Sequence, residues 1–289
     1  MKIGLMGTGL MGQAMAKTLA NTDLSIMAYN RTAEKLKPLQ EVGIETTTSP
    51  QALVSACDGI ILMLSDATAI TETLFSSETA KALSGHTVIQ MGTIAPRESR
   101  EITDKIKSQG GDYLEAPVLG SVPQAQSGTL QIMVGATQAQ FDQWSPILSH
   151  LGKPFLVGEV GKAAALKLGL NQLIVSLTGA FSLSLSFIEE EGVDVETFMS
   201  VLRESALYAP TFDKKLNRMN ESNYSNPNFP TKHLLKDTRL FLEEAKTEGL
   251  TVSSLQGMET ILEAALELGL GDQDYSALFE VVKGKKNES

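Results

Sequence analysis

The chain is poor in the residues that most often announce a chemistry. Its 289 residues include one cysteine, three histidines and one tryptophan. A single cysteine excludes an intrachain disulfide, and Cys57, just before an apolar run, reads as a buried small hydrophobe. His86, His150 and His233 show no metal-ligand spacing, so no metal site is expected. Positive charge is also in deficit: 24 Lys and Arg stand against 34 Asp and Glu, for a net charge of −10. That balance favours solubility and argues against nucleic acid or an anionic membrane as a partner. No apolar run approaches the ~20 residues that span a bilayer, and the N-terminus reads as a strand rather than a signal peptide. A cytoplasmic protein is expected. There is no internal repeat and no low-complexity linker.

What is present is concentrated in the first thirty or so residues. Met1–Leu5 is a short apolar-rich run. Gly7-Thr8-Gly9-Leu10-Met11-Gly12 follows, and then Met15, Ala16 and Leu19 at helical spacing. Leu24–Tyr29 reads as a second strand. A G-x-G-x-x-G between a strand and a helix is the context of a dinucleotide site. Gly7 allows the tight turn, Gly9 lets the backbone approach a pyrophosphate, and Gly12 lets helix and strand pack closely. The second strand ends at Asn30, Arg31 and Thr32, with Lys35 one turn on. NAD sites usually place a carboxylate there for the ribose 2′-OH. Here an arginine fork and a threonine hydroxyl suit a 2′-phosphate instead, so NADP(H) is the expected cofactor. Met63, Leu64 and Ser65, at the end of a later strand, complete the expected cofactor contacts.

The length allows two domains, since domains usually run to roughly 100–200 residues. A helix is expected over Ala33–Val42 and strands over Ile44–Thr48, Gly59–Leu64, Thr87–Gln90, Asp112–Ala116, Gln131–Val134 and Pro154–Val157. Helices are expected from Pro96 to about Gln109 and over Thr137–Leu148. This alternation indicates an α/β, doubly wound Rossmann sheet over residues 1–160. Residues 161–289 read as an all-α domain for substrate and oligomerisation, entered by one long interdomain helix, Gly161–Glu191. Further helices are expected near Asp194–Glu204, Thr211–Asn220, Thr231–Glu248, Ser253–Leu268 and Ser276–Val282, with a frayed polar tail from Lys283. A helix so long and apolar would leave exposed surface in a monomer, so a homo-oligomer, dimer or tetramer, is expected.

Three stretches can meet a cofactor at the carboxyl ends of the strands. In Met91–Pro96, Thr93 either contacts cofactor ribose or substrate or stabilises a helix start. In Glu115–Thr129, a glycine- and hydroxyl-rich loop, backbone N–H groups can hold a carboxylate, or the stretch is an ordinary loop. At the start of the long helix, Lys167 and Asn171 lie at i and i+4 on one face, in apolar surroundings. Lys167 either snorkels to solvent or serves as an acid. Hydride transfer to a carbonyl needs a proton donor and a nearby cation for the forming alkoxide, and no histidine or tyrosine is an obvious candidate.

Taken together, GLMGTGLMGQAMAKTL, EAPVLGS with SGTL, GKAAALKLGLNQ and KHLLKD make the whole chain resemble the β-hydroxyacid dehydrogenases, which include 3-hydroxyisobutyrate dehydrogenase. FPTKHLLKDTRLFL and the NRT after the second strand are most similar to the glyoxylate/succinic semialdehyde reductase branch, also described as γ-hydroxybutyrate dehydrogenases. The resemblance implies that Lys167 is the catalytic acid and that Asn171 orients substrate or lysine. It implies that Gly120 and Ser121 bind a small substrate's carboxylate, that Thr93 helps at the substrate–nicotinamide junction, and that Phe229 packs over the pocket. Lys236 would approach cofactor or carboxylate, with Asp237 orienting charged groups near it.

One departure stands out. The family usually has a serine where this chain has Leu119. A carboxylate would then depend more on backbone N–H groups and on Ser121, and a lost hydrogen bond to a charged group costs about 1.5–3 kcal/mol. The expected activity is NADPH-dependent reduction of small aldehyde or keto acids such as glyoxylate and succinic semialdehyde. The alternatives are oxidation of a β-hydroxyacid such as 3-hydroxyisobutyrate and, in another class, a non-catalytic NADP-binding scaffold.

Overall fold

The structure, a computed structural model, describes residues 1–284; the expected polar tail lies, from residue 285 on, outside the described residues. The chain divides into two compact units, Met1–Lys167 and Leu168 onward.

In the first unit the strands are β1 (Lys2–Met6), β2 (Ser25–Tyr29), β3 (Glu45–Thr47), β4 (Gly59–Leu62), β5 (Thr87–Gln90), β6 (Asp112–Glu115), β7 (Val118–Leu119), β8 (Leu130–Gly135) and β9 (Gly152–Gly158). They form one sheet in the order β3-β2-β1-β4-β5-β6-β8-β7, with β9 on β8. The pairs from β3 across to β6 are all parallel. β8 runs antiparallel to β6 and β7 and parallel to β9. The helices between them are α1 (Leu10–Ala20), α2 (Lys37–Gln40), α3 (Pro50–Ala56), α4 (Ala67–Leu74), α5 (Ser77–Ala82), α6 (Pro96–Ser108), α7 (Val122–Ser127) and α8 (Gln138–Leu148). Crossovers of this kind cover both faces of the sheet, which is why central strand β4 is apolar throughout rather than alternating. Ile3, Leu5 and Ile61 belong to the core on one face; Met6, Ile60 and Leu62 belong to the core on the other.

Two expectations are corrected here. The helix expected over Ala33–Val42 is a 3₁₀ turn, Ala33–Leu36, followed by the short α2. Pro38 lacks an N–H, so a continuous helix through it would lose a hydrogen bond; the proline sits instead in the first turn of a new segment. The stretch 115–129, expected as a loop, contains β7 and α7. Cys57 lies buried in the second core. Burial there pushes its thiol up to about 11, so it carries little of the thiolate that would make it reactive near neutral pH.

The long helix α9 (Lys162–Glu190) begins in the first unit and runs on into the second. It is followed by α10 (Val195–Arg203), α11 (Pro210–Asn220), α12 (Thr231–Thr247), α13 (Ser253–Glu267), a 3₁₀ turn at Tyr275–Leu278 and α14 (Phe279–Val282). Val175 of α9 packs with Leu234, Leu235 and Leu262, and Phe181 and Leu185 pack with Met199, Phe212 and Phe279. By length and composition α9 is long and apolar enough to cross a bilayer, with a mean hydropathy of 1.4 over its best window. The expectation that no such run exists is corrected, because its interspersed Gly, Ser and Thr hide the run in the sequence. Within that window 44% is buried inside the fold. Its outer side exposes Leu166, Leu173, Leu177, Leu183 and Phe187.

Candidate functional site

In the first unit the strand order reverses between β1 and β4, and the crevice at such a switch point is where an open α/β sheet binds its ligand. The glycine turn leaves β1 at this place. Gly7 has φ +99°, and a Cβ on it would collide with the Met63 carbonyl at the end of β4. A Cβ on Gly12 would collide with the Gly7 carbonyl, so helix and turn approach as closely as the motif requires. Around the position of a Cβ on Gly9 there is open space within 4 Å. Gly9 is also the N-cap of α1 and has no side chain to occupy its first N–H groups. A bare helix N-terminus facing a gap is what a pyrophosphate needs. The residues present therefore fit a dinucleotide.

The turn is held by a small polar network. Asn30 donates from Nδ2 to Thr8 Oγ1 at 2.9 Å, and Thr8 donates in turn to the Lys35 carbonyl at 3.2 Å. Asn30 Oδ1 accepts from the Thr32 N–H at 2.8 Å. The end of β2 is thus tied to the glycine turn while Arg31 points outward, its side chain 86% exposed and 3.7 Å from Glu72. Leu64 packs on Gly7, and Ser65 donates to Asp66, the N-cap of α4. Thr93 lies near this edge, since a Cβ on its neighbour Gly92 would fall 2.7 Å from the Leu64 carbonyl. Thr93 is not the cap of α6: that place belongs to Ala95, whose N–H donates to Glu98 at 2.8 Å.

Further along the same unit, Leu119 ends β7, Gly120 is exposed and Ser121 caps α7. Both donors of Ser121 are engaged, its N–H and its hydroxyl donating to Gln124 Oε1 at 2.9 and 2.8 Å. Lys167 closes the unit. It is 9% exposed.

The second unit supplies a second cluster. Asn171, one turn beyond Lys167 on α9, donates from Nδ2 to Asp237 Oδ2 at 2.6 Å. The other Asp237 oxygen lies 2.9 Å from Lys236 Nζ. Only an amide N–H₂ can donate to a carboxylate, so this contact fixes the orientation of Asn171 and leaves its Oδ1 buried with no partner among the described residues. Phe229 packs edge-on against Tyr275, with ring centroids 5.9 Å apart. Among the described residues no group of three or more His, Cys, Asp or Glu could hold a metal ion.

Two buried polar groups escaped the sequence reading. Glu115 accepts three hydrogen bonds at the start of α9 and a fourth from Ser99. Lys215 pairs with Asp274 inside the helical unit. A signal existed for the first, a carboxylate set directly between Leu114 and Ala116 at the end of a strand.

Comparison with known proteins agrees with this geometry. Residues 2–161 match the family model for the NAD binding domain of 6-phosphogluconate dehydrogenase. Residues 161–282 match that for NAD binding of NADP-dependent 3-hydroxyisobutyrate dehydrogenase. Glyoxylate/succinic semialdehyde reductase 1 of Arabidopsis thaliana is 34% identical over 98% of this chain and 99% of its own. The 2-hydroxy-3-oxopropionate reductase of Escherichia coli is 32% identical over 98% of this chain and 97% of its own. The crystal structure of a 3-hydroxyisobutyrate dehydrogenase from Salmonella typhimurium shares the fold, with a TM-score of 0.86 at 19% identity over 97% of this chain and 99% of that one. The chain belongs to the β-hydroxyacid dehydrogenase family, as an oxidoreductase of the 3-hydroxyisobutyrate dehydrogenase type with an NAD(P)-binding Rossmann unit.

Proposed function

We propose that the protein reduces small aldehyde or keto acids, glyoxylate and succinic semialdehyde foremost, to hydroxyacids with NADPH. The observation that carries this reading is the buried Lys167, one helical turn ahead of an Asn171 whose carbonyl oxygen is oriented and has no partner among the described residues. Gly7–Gly12, Met63, Leu64 and Ser65 hold the dinucleotide, and Asn30 shapes the turn. Arg31, Thr32 and Lys35 take the 2′-phosphate. Bound NADPH supplies the hydride. Lys167 gives its proton to the carbonyl oxygen as charge develops there, which is where a positioned acid and cation contribute most. Asn171 Oδ1 accepts from the product hydroxyl, while Asp237 keeps both Asn171 and Lys236 in place. Thr93, Gly120 and Ser121 contact the substrate, with Phe229 shaping the apolar surroundings. Residues 1–160 then act as the cofactor domain and 161–289 as the substrate and oligomerisation domain.

The test is NADPH consumption against glyoxylate, succinic semialdehyde, methylmalonate semialdehyde and uncharged aldehydes of similar length, with NADH in parallel. Turnover of the acids with NADPH supports the reading. Turnover of uncharged aldehydes alone would refute the carboxylate anchor. In the same assay Arg31→Asp is expected to raise the KM for NADPH roughly 10- to 100-fold, the loss of charge-assisted hydrogen bonds to a phosphate, and to spare NADH. An unchanged preference would sink the role given to Arg31.

The exposed row on α9 supports a homo-oligomer. From Leu166 to Phe187 it extends about 30 Å along the helix, an apolar strip of the kind soluble monomers rarely leave open. Light scattering should give a mass that is a multiple of 31.0 kDa. A monomer at micromolar concentration would refute this.

A further inference from the structure

We infer that Glu115, at the end of β6, is a positioning residue that fixes the start of α9 and thereby the place of Lys167. The inference rests on the reading of Lys167 as proton donor. Helix α9 cannot cap itself. The residues leading into it, Gly158-Glu159-Val160-Gly161, offer no Ser, Thr, Asp or Asn, and Gly161 has no side chain. The acceptor comes from elsewhere in the sheet. Glu115 Oε1 accepts the N–H of Gly161 at 2.7 Å, of Ala163 at 2.8 Å and of Ala164 at 3.1 Å. Its Oε2 accepts from the Ser99 hydroxyl at 2.5 Å, and Ser99 is hydrogen-bonded to Tyr113 at 2.8 Å.

The arrangement has the marks of a built site. Glu115 is 1% exposed. Burial pushes its carboxyl above the ordinary range, and the four donors oppose that shift by favouring the anion. Room for the carboxylate depends on Gly135 of β8, where a Cβ would collide with Glu115 Oε1. A buried anion facing three N–H groups of a first helical turn pins that turn in both translation and rotation. Lys167 follows Ala163 by four residues, about 6 Å along the axis, on the second turn. A misplacement of about 1 Å in a catalytic group can cost about 100-fold in rate. The carboxylate therefore acts on the reaction through the helix and touches neither substrate nor cofactor.

The test compares Glu115→Ala, Glu115→Gln, Gly135→Ala and Lys167→Ala as full-length proteins. Each is measured for kcat, for the NADPH Kd by fluorescence, and for amide exchange over residues 158–168. Glu115→Ala is expected to lower kcat by about 100-fold while the NADPH Kd stays within about threefold, since the glycine turn is untouched. Amides 161–164 should exchange faster. Glu115→Gln keeps one acceptor oxygen and should recover most of kcat. Gly135→Ala leaves the charge in place and pushes it off the helix, so it should reproduce the loss even where Glu115→Ala does not fold. Wild-type kcat in Glu115→Ala, or in Gly135→Ala, beside an inactive Lys167→Ala, would overturn the inference alone. Wild-type kcat in Lys167→Ala would overturn the proton-donor reading itself.

Discussion

Lys167→Ala is expected to lower kcat by about 10²- to 10⁴-fold, the usual contribution of a positioned general acid. At about 1.4 kcal/mol per decade this is roughly 3–5 kcal/mol of transition-state stabilisation. Lys167 is 9% exposed, and the proposed hydride transfer to a carbonyl needs a proton for the forming alkoxide. NADPH binding should survive, because the glycine turn and the Asn30–Thr8 network belong to other elements. The KM for the acid should change far less than kcat, since the proton is needed only as charge develops. Lys167→Arg should not rescue, because a guanidinium holds its proton too tightly to give it up. Steady-state kinetics with an NADPH titration decide the matter; a variant within threefold of wild-type kcat would end the proposal.

Much of this was legible in the sequence, for a physical reason. Strands β1, β2 and β4 are short, mostly apolar runs bounded by turns, and a fully covered parallel sheet leaves that trace. The long α9 shows through its three- and four-residue spacing. Helices α3, α4, α5 and α7 were not seen, because six to eight residues make barely two turns and display no period. Their caps were the available signal: Ser49 before Pro50, and Asp66 accepting from the Ala69 N–H at 2.7 Å. The site divides in the same way. Lys167 and Asn171 are four residues apart and readable as a pair. The partner that orients Asn171 is 66 residues away, and those that take up Glu115 are 46 to 49 residues away. Pairings closed only by the tertiary fold leave no periodic signal. They are also the pairings that decide whether the readable residues are held still.

Lys215→Met is expected to cost about 3–5 kcal/mol of stability, the usual penalty for removing one partner of a buried ion pair. Lys215 on α11 places Nζ 2.8 and 2.9 Å from the two oxygens of Asp274, and 4.2 Å from the centre of the Tyr275 ring. Burial lowers the Lys215 pKa and the Asp274 charge opposes that shift, so the pair is held against desolvation rather than by it. Asp274 also accepts from the Ser276 hydroxyl at 2.7 Å and from its N–H at 3.2 Å. Methionine fills similar volume and leaves a fully buried carboxylate without its cation. The helical unit should melt roughly 10–20 °C lower. A second change, Asp274→Leu, should recover much of the loss, because the penalty lies in the orphaned charge and not in the missing pair. Melting curves of the single and double variants separate these terms. A single variant that melts with the wild type would show that Ser276 and its neighbours already suffice to hold the carboxylate.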